Sequence, residues 1–375
     1  FMAVLRPAGD FDTSYTHDMA VLRQRWHWVV MFLLLGVMFA LPYFAPEPMV
    51  SLFNRIGIAI IAVQGLNILT GYTGQISLGQ AAFMTVGGYV SALLVGVAGW
   101  SFFLALPAAG LGAGLVGLLF GLPSLRVKGF YLVMATLSAQ FIIPWLARNT
   151  FPGLLGGAQG INVPVPTLSL PVIAGTCFLG TQYNAELGNC VYRFATPKEF
   201  WHITLVVLIV STVVALNISR SRFGRALISV RDNDLAAELL GVNLFAYKLR
   251  AFFIAAVYAG VAGSLLAHNL RHINSQTVGL VDSILFMGML VVGGLGSNLG
   301  PILGATLVTL LEELATVLTP VVMALLPTSA AGITAALRPL IFGLALMLFL
   351  IFEPRGLAYR WTLIKASWRL RPYAR

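Results

Sequence analysis

The strongest constraint in this chain is the recurrence of apolar runs close to the ~20 residues that an α-helix needs to cross a bilayer. Ten can be marked: Trp26–Phe44, Val50–Thr70, a run that follows a glycine-rich break and ends at about Ala98, Phe102–Leu122, Phe130–Leu146, Trp201–Ile218, Leu249–Leu270, a short Val281–Val292, Ile302–Leu318 and Ile333–Phe352. Runs of this length leave little choice of fold, because a backbone in hydrocarbon must satisfy its own hydrogen bonds and helices do so locally. Composition agrees: 58% of residues are hydrophobic and 10% charged, against about 25% charged in soluble domains. The expected fold class is all-α, a polytopic membrane protein of about ten transmembrane helices with broken helices and an internal pseudo-repeat.

The charges set the expected orientation. Residues 1–25 carry Arg6, Arg23 and Arg25 and read as a cytoplasmic tail, with no cleavable signal peptide evident. Leu125–Lys128 is a basic turn. The segment 219–250 holds Arg220, Arg222, Arg225, Arg231, Lys248 and Arg250, and the tail 353–375 holds Arg355, Arg360, Lys365, Arg369, Arg371 and Arg375. Threading the spans from an inside N-terminus puts all of these in the cytosol, where Lys and Arg are retained. Residues 26–352 then form the transmembrane domain, with both termini cytoplasmic and 148–199 outside. The formal net charge of +10 is explained by this bias and by anionic lipid, so nucleic-acid binding is not expected. Cys177 and Cys190 fall in the turn-rich outer loop. A disulfide between them and two free thiols are both open readings.

No catalytic constellation, Walker A motif or metal-ligand spacing is present, so neither an enzyme nor a cofactor is expected. His268 and His272 share a helical spacing but have no further ligand nearby, and read as interfacial. Asp282 reads as interfacial too, and Glu312 or Glu313 as a partner for Arg338 or Arg271 across the bundle. A proton relay through Glu312 is the sharper alternative.

Two features point to function. Gln64, Asn67, Thr70, Gln75, Ser77 and Gln80 cluster around a break, GYTGQISLGQ at 71–80, that is echoed by GGLGSNLGP at 293–301. Breaks at matching positions line the path in many transporters, and broken ends can offer N–H and C=O groups to a polar solute. Helix–helix glue is the competing reading. The second feature is a short helix in 219–250. Asp232 or Asn233 can cap it, Asp234 sits at its positive end, and Gly241 can close it. A helix so short must dock on something. A soluble partner gripping it and a connector lying on headgroups are both open.

NILTGYTGQISLGQAAFMTVGGYVSALL at 67–94, RSRFGRALISVRDNDLAAELLGVNLFAYKLRAFFIAAVYAGVAGSLL at 220–266, GGLGSNLGPILGA at 293–305 and FEPRGL at 352–357 together resemble the permease subunits of bacterial branched-chain amino acid ABC importers. FEPRGL resembles the M-type permease rather than its shorter H-type partner. The resemblance covers about 50–360 and implies an inner-membrane heteromer: a second homologous permease, two cytosolic ATP-binding subunits that hydrolyse ATP, and a periplasmic binding protein. It also implies that 231–241 is the helix that docks on an ATPase, with Arg231, Asp232, Asp234, Leu235, Glu238 and Gly241 in that role. Branched-chain and other amino acids, urea and small amides are the solute classes implied. A gradient-driven transporter and a non-transporting scaffold are the alternatives from other classes.

Overall fold

The computed structural model describes residues 25–124, 131–150, 152–170, 182–184, 189–325 and 330–370. Among these are fourteen helices. Helix α1 is Arg25–Phe44. Helix α2, Glu47–Leu66, runs into a π-helical turn, Asn67–Gly71. Then come α3 (Gln80–Gly96), α4 (Phe102–Ser124), α5 (Tyr131–Asn149), the single turn α6 (Pro152–Leu155), α7 (Pro197–Arg220), α8 (Arg222–Asp232), α9 (Asp234–Leu239), α10 (Leu244–Leu270), α11 (Leu280–Gly293), α12 (Gly300–Leu325), α13 (Ala330–Phe352) and α14 (Leu357–Leu370).

Helix α10 is the axis of the bundle and packs on α2, α3 and α4. Phe252 and Leu265 of α10, Met84 of α3 and Ile61 and Leu66 of α2 are fully buried in one core. The α3–α10 crossing is tight because Gly87 lies on Gly260: a methyl at Gly87 would sit 2.3 Å from the Gly260 Cα. Small residues at such crossings let helices approach where lipid gives no hydrophobic drive.

The all-α class holds; the count of about ten spans is not confirmed among the described residues. Among the described residues, five helices are long and apolar enough to cross a membrane: Glu47–Gly71, Phe102–Leu122, Pro197–Arg220, Leu244–Leu270 and Gly300–Pro320. A sixth arises if Pro339–Phe352 and Leu357–Ser367, bent by 44°, are taken together. Trp28–Phe44, Gln80–Gly96 and Leu280–Gly293 are apolar but shorter. Two of these, α3 and α11, border the glycine breaks. Helix α5 carries Thr136, Ser138, Gln140 and Arg148 and is less apolar than its neighbours.

The turn-rich segment 148–199 contains strands that period and composition did not reveal. Thr167–Leu170, Gln182–Asn184 and Asn189–Arg193 form an antiparallel sheet in the order first, third, second. Ile161–Asn162 pairs with His272–Ile273, tying this segment to the end of α10. Cys190 lies in a strand opposite Leu170 and Tyr183; Cys177, and with it the disulfide question, lies outside the described residues, as does the basic turn Leu125–Lys128. Helix α7 starts at a capping box in which Thr196 accepts from the Glu199 N–H and Glu199 accepts from the Thr196 N–H. The tail after Phe352 is not extended: Pro354 and Gly356 (φ +79°) make a turn into α14.

Candidate functional site: a junction of two helix breaks and a surface helix

The segment 219–250 is mostly helix. Ser221 caps α8 by accepting from the Gly224 N–H at 3.2 Å. Leu227 and Val230 bury the apolar side of α8. Asn233, in extended backbone, stops α8 and caps α9, its Oδ1 accepting from the Ala236 N–H at 3.1 Å. The cap is therefore Asn233 rather than Asp232. Gly241 ends α9 at φ +84°, with its N–H on the Glu238 carbonyl and the Val242 N–H on the Ala237 carbonyl. That arrangement needs a residue at ease in the left-handed region. Asn243 caps α10 from the other side, and residues 244–250 belong to that span.

Helix α9 buries Ala237 and leaves Leu235, Leu239 and Leu240 at 66%, 89% and 83% exposure. Asp234 pairs with Lys248 at 2.8 Å, and Asp232 with Arg231 at 3.1 Å. The second pair lies within α8, and the first pins α9 to α10, while the leucines and Glu238 of α9 stay open.

Arg231 also reaches inward. Its Nη1 donates to the Gly71 carbonyl at 2.8 Å, at the end of the π turn. Its stem lies on Gly74, where a methyl would meet the Arg231 Cγ at 3.0 Å. A methyl at Gly296 would meet Arg231 Nη1 at 2.8 Å. The glycines of the two sequence echoes thus form a socket for one guanidinium. The echoes also touch each other. Asn67 donates from Nδ2 to the Ser297 carbonyl at 3.0 Å and accepts at Oδ1 from the Gly296 N–H at 2.9 Å. Tyr72 hydrogen-bonds Asn298, which donates to Ser219 Oγ at 3.1 Å. Gly356 packs on Gly294, which brings Arg355 to the same junction.

Most of the other break residues find partners within the bundle. Gln64 donates to Thr212 at 2.7 Å, Thr70 to the Gln75 carbonyl at 2.9 Å, and Gln80 to the Ala62 carbonyl at 2.7 Å. Ser77 accepts from the Gly79 N–H at 3.4 Å. Oε1 of Gln64 and of Gln75 is buried without a partner among the described residues. The N-terminus of α3 is not the free cradle that the break suggests. Thr136, Ser283 and Gln140 accept from the N–H groups of Leu78, Ala81 and Ala82 at 3.1, 3.0 and 2.9 Å. Side chains from α5 and α11 occupy the positions a bound carboxylate would take.

Two further expectations change. His268 is not interfacial: it is buried, with Nε2 on Ser91 Oγ and Nδ1 on the Pro164 carbonyl, both at 3.0 Å. His272 lies 3.2 Å from Asn162 instead of joining it. Glu312 and Glu313 do not meet Arg271, which donates to the Ala195 carbonyl; the Arg338 side chain lies outside the described residues. Their partner is Arg55, at 3.6 and 3.2 Å. Asp282 accepts from the Gly279 N–H at 2.7 Å at the start of α11, as an interfacial cap does. Among the described residues no three His, Cys, Asp or Glu side chains form a metal-sized group.

A family model described as the branched-chain amino acid transport system / permease component matches residues 49–351. The chain belongs to this permease family. It is similar to the high-affinity branched-chain amino acid transport system permease protein LivM of Salmonella typhimurium, 32% identical over 284 residues, 75% of this chain and 67% of that protein. LivM of Escherichia coli is similar to the same extent. The autoinducer 2 import system permease protein LsrC of Yersinia enterocolitica is 27% identical over 217 residues, 53% of this chain and 59% of that protein. No solved structure matches. The chain is thus a transmembrane permease subunit of an ABC importer, a class that works with ATP-binding and substrate-binding partners.

The matched region takes in both breaks, the α8–α9 element and the junction between them. One contact of this permease's site, and one ion-pair partner away from it, were missed from sequence. The bond from Arg231 to Gly71 spans 160 positions, and only the paired Gly-x-x-Gly patterns hinted at a close approach. Arg55 was visible as a lone guanidinium inside an apolar run, which is itself a signal.

Proposed function

We propose that this permease is the M-type half of an importer for branched-chain or related amino acids in a bacterial inner membrane. It pairs with a second homologous permease, two cytosolic ATP-binding subunits and a periplasmic binding protein. The 219–250 face is cytosolic, as are both termini, and the segment 148–199 is periplasmic. The clustering of Arg220, Arg222, Arg225, Arg231 and Lys248 with Arg355 at one end of the bundle supports this orientation.

Helix α9 is the contact for an ATP-binding subunit, through Leu235, Leu239 and Glu238. The observation that carries this reading is the pairing of its open leucines with the inward reach of Arg231 to Gly71. A push on α9 reaches α8 through Asn233 between them and α10 through the Asp234–Lys248 pair, and the breaks through the Arg231 guanidinium and Asn67. Such an element switches a bundle between two packings when a partner binds one better than the other. Gln64, Asn67, Thr70, Gln75, Ser77 and Gln80 then border the path that opens, exchanging their present partners for solute or water.

Co-purification tests the reading. Leu235→Asp with Leu239→Asp changes only exposed side chains, so insertion and folding stay intact. The doubly substituted permease loses its ATP-binding subunits by about tenfold or more on affinity purification and loses uptake with them. Retention of both at unchanged levels contradicts the docking role.

A further inference from the structure

The first turn of α3 meets α5 and α11 at the middle of the bundle. Its height follows from three contacts. Gln80 Nε2 donates to the Ala62 carbonyl at 2.7 Å. Ala62 lies between Gly57, where a methyl would sit 2.9 Å from Thr204 Cγ2, and Gln64, which donates to Thr212. Thr204 and Thr212 straddle the midpoint of α7, and Ala62 is close to the midpoint of Glu47–Gly71. Both of these helices are long and apolar enough to cross a membrane, so α3 begins at their mid-height. There the Ala81 N–H donates to Ser283 Oγ at 3.0 Å and the Ala82 N–H to Gln140 Oε1 at 2.9 Å. The two acceptor oxygens lie 3.2 Å apart, the Ser283 hydroxyl donating to Gln140. Gln140 is 3% exposed and Ser283 is fully buried. The first turn of α3, Gln80 to Phe83, carries no acid, and Asp282 beside Ser283 holds the Gly279 N–H of its own helix. The Ala82 N–H also fixes the Gln140 carboxamide, oxygen toward that donor and nitrogen away from it. Gln140 Nε2 is thereby buried without an acceptor among the described residues, and an unmade bond of that kind is costly.

From this geometry we infer that the N-terminus of α3, with Gln140 and Ser283, is a binding site for the carboxylate of the solute, and that the two side chains stand in for that carboxylate here. The inference rests on the amino-acid reading above and names where one end of that solute is held. Two oxygens on the neighbouring N–H groups of Ala81 and Ala82 are what a single carboxylate supplies, and the positive end of a helix favours an anion over the neutral atoms that hold it now. When the solute enters, its carboxylate takes both N–H groups. The Ser283 hydroxyl turns from Gln140 to donate to the carboxylate. The Gln140 carboxamide rotates, so that Nε2 gains the acceptor it lacks and Oε1 is released to accept from the neighbouring ammonium. Every donor that loses a partner gains another, and one neutral amide serves both charges of a zwitterion. A solute without a carboxylate leaves these donors on Gln140 and Ser283 and is not held.

The test uses the complete importer in proteoliposomes with leucine as the probe. Gln140→Glu keeps an acceptor for the Ala82 N–H and for Ser283, and a carboxylate suits a helix N-terminus. A side chain that merely caps α3 therefore tolerates this change, and uptake stays at the wild-type rate. The site predicts an assembled complex that takes up leucine about tenfold or more slowly, because the fixed carboxylate cannot donate to the solute and repels it. A second arm does not depend on that variant. In Ser283→Cys, position 283 is followed by peptide mass spectrometry after exposure to an anionic methanethiosulfonate reagent. The site predicts labelling while ATP is hydrolysed and slower labelling, by about fivefold or more, when leucine is present. Wild-type uptake by Gln140→Glu, no labelling during turnover, or labelling that leucine does not slow would each overturn the site. If Gln140→Glu does not assemble, the labelling decides alone. An unsubstituted importer that hydrolyses ATP but takes up no leucine would instead contradict the amino-acid reading on which the site rests.

Discussion

At Gly71 one hydrogen atom stands where any other residue would place a carbon. A methyl there would lie 2.6 Å from the Gly296 N–H and 2.1 Å from Asn67 Oδ1. Neither neighbour can yield cheaply, since one is backbone and the other is fixed by two hydrogen bonds. Gly71→Ala is therefore expected to destabilise the permease by about 1–3 kcal/mol, read as a lower midpoint in detergent unfolding with insertion unchanged. An unchanged midpoint would mean that the two breaks do not touch as described. The sequence showed that Gly71 and Gly296 stood in similar patterns, but not that they face each other. Similarity of spacing carries no information about distance between segments more than two hundred residues apart. The same limit hid the Arg55 partnership: Glu312 and Glu313 were visible as costly residues, and Arg271, one of the two arginines expected beside them, lies on Ala195 instead.

Among the elements, α9 was the most legible. Its cap, length and glycine stop are local chemistry, and local chemistry is readable from a single chain. Asn233→Ala removes the side chain that accepts from the Ala236 N–H and should cost this helix about 0.5–2 kcal/mol. Hydrogen exchange over 234–240 should then quicken in the isolated permease and be protected again when the ATP-binding subunits dock. Exchange unchanged by the substitution would show that packing of Ala237 alone holds the helix. The N-terminus of α3 was less legible. A break promised free N–H groups, but Thr136, Gln140 and Ser283 from other helices fill them, and nothing local to residues 71–80 announces that. The strands in 148–199 were invisible for a related reason, since their pairing depends on partners across turns and not on a clear alternation within each.

For the whole molecule, the class and the family were legible in the sequence, while fewer than ten of its apolar runs are matched by unbroken spans among the described residues. Apolar runs measure composition, whereas a span also needs unbroken length. Helices α3 and α11 lose length to the glycine breaks, and α5 loses apolarity to its polar residues. What unites the molecule is the route from a surface helix through Arg231 to the two breaks. If that route transmits ATP-driven motion, cutting it should separate hydrolysis from transport without disturbing assembly. The direct measurement is the ratio of solute taken up to ATP hydrolysed by the reconstituted importer carrying Arg231→Gln. The guanidinium's bond to Gly71 is charge-assisted and contributes about 1.5 kcal/mol, at the low end because Arg231 is partly solvent-facing. The account predicts that the ATP-binding subunits stay bound and hydrolyse ATP while the ratio falls about tenfold. A ratio equal to that of the unsubstituted importer, with Arg231 absent, would contradict it.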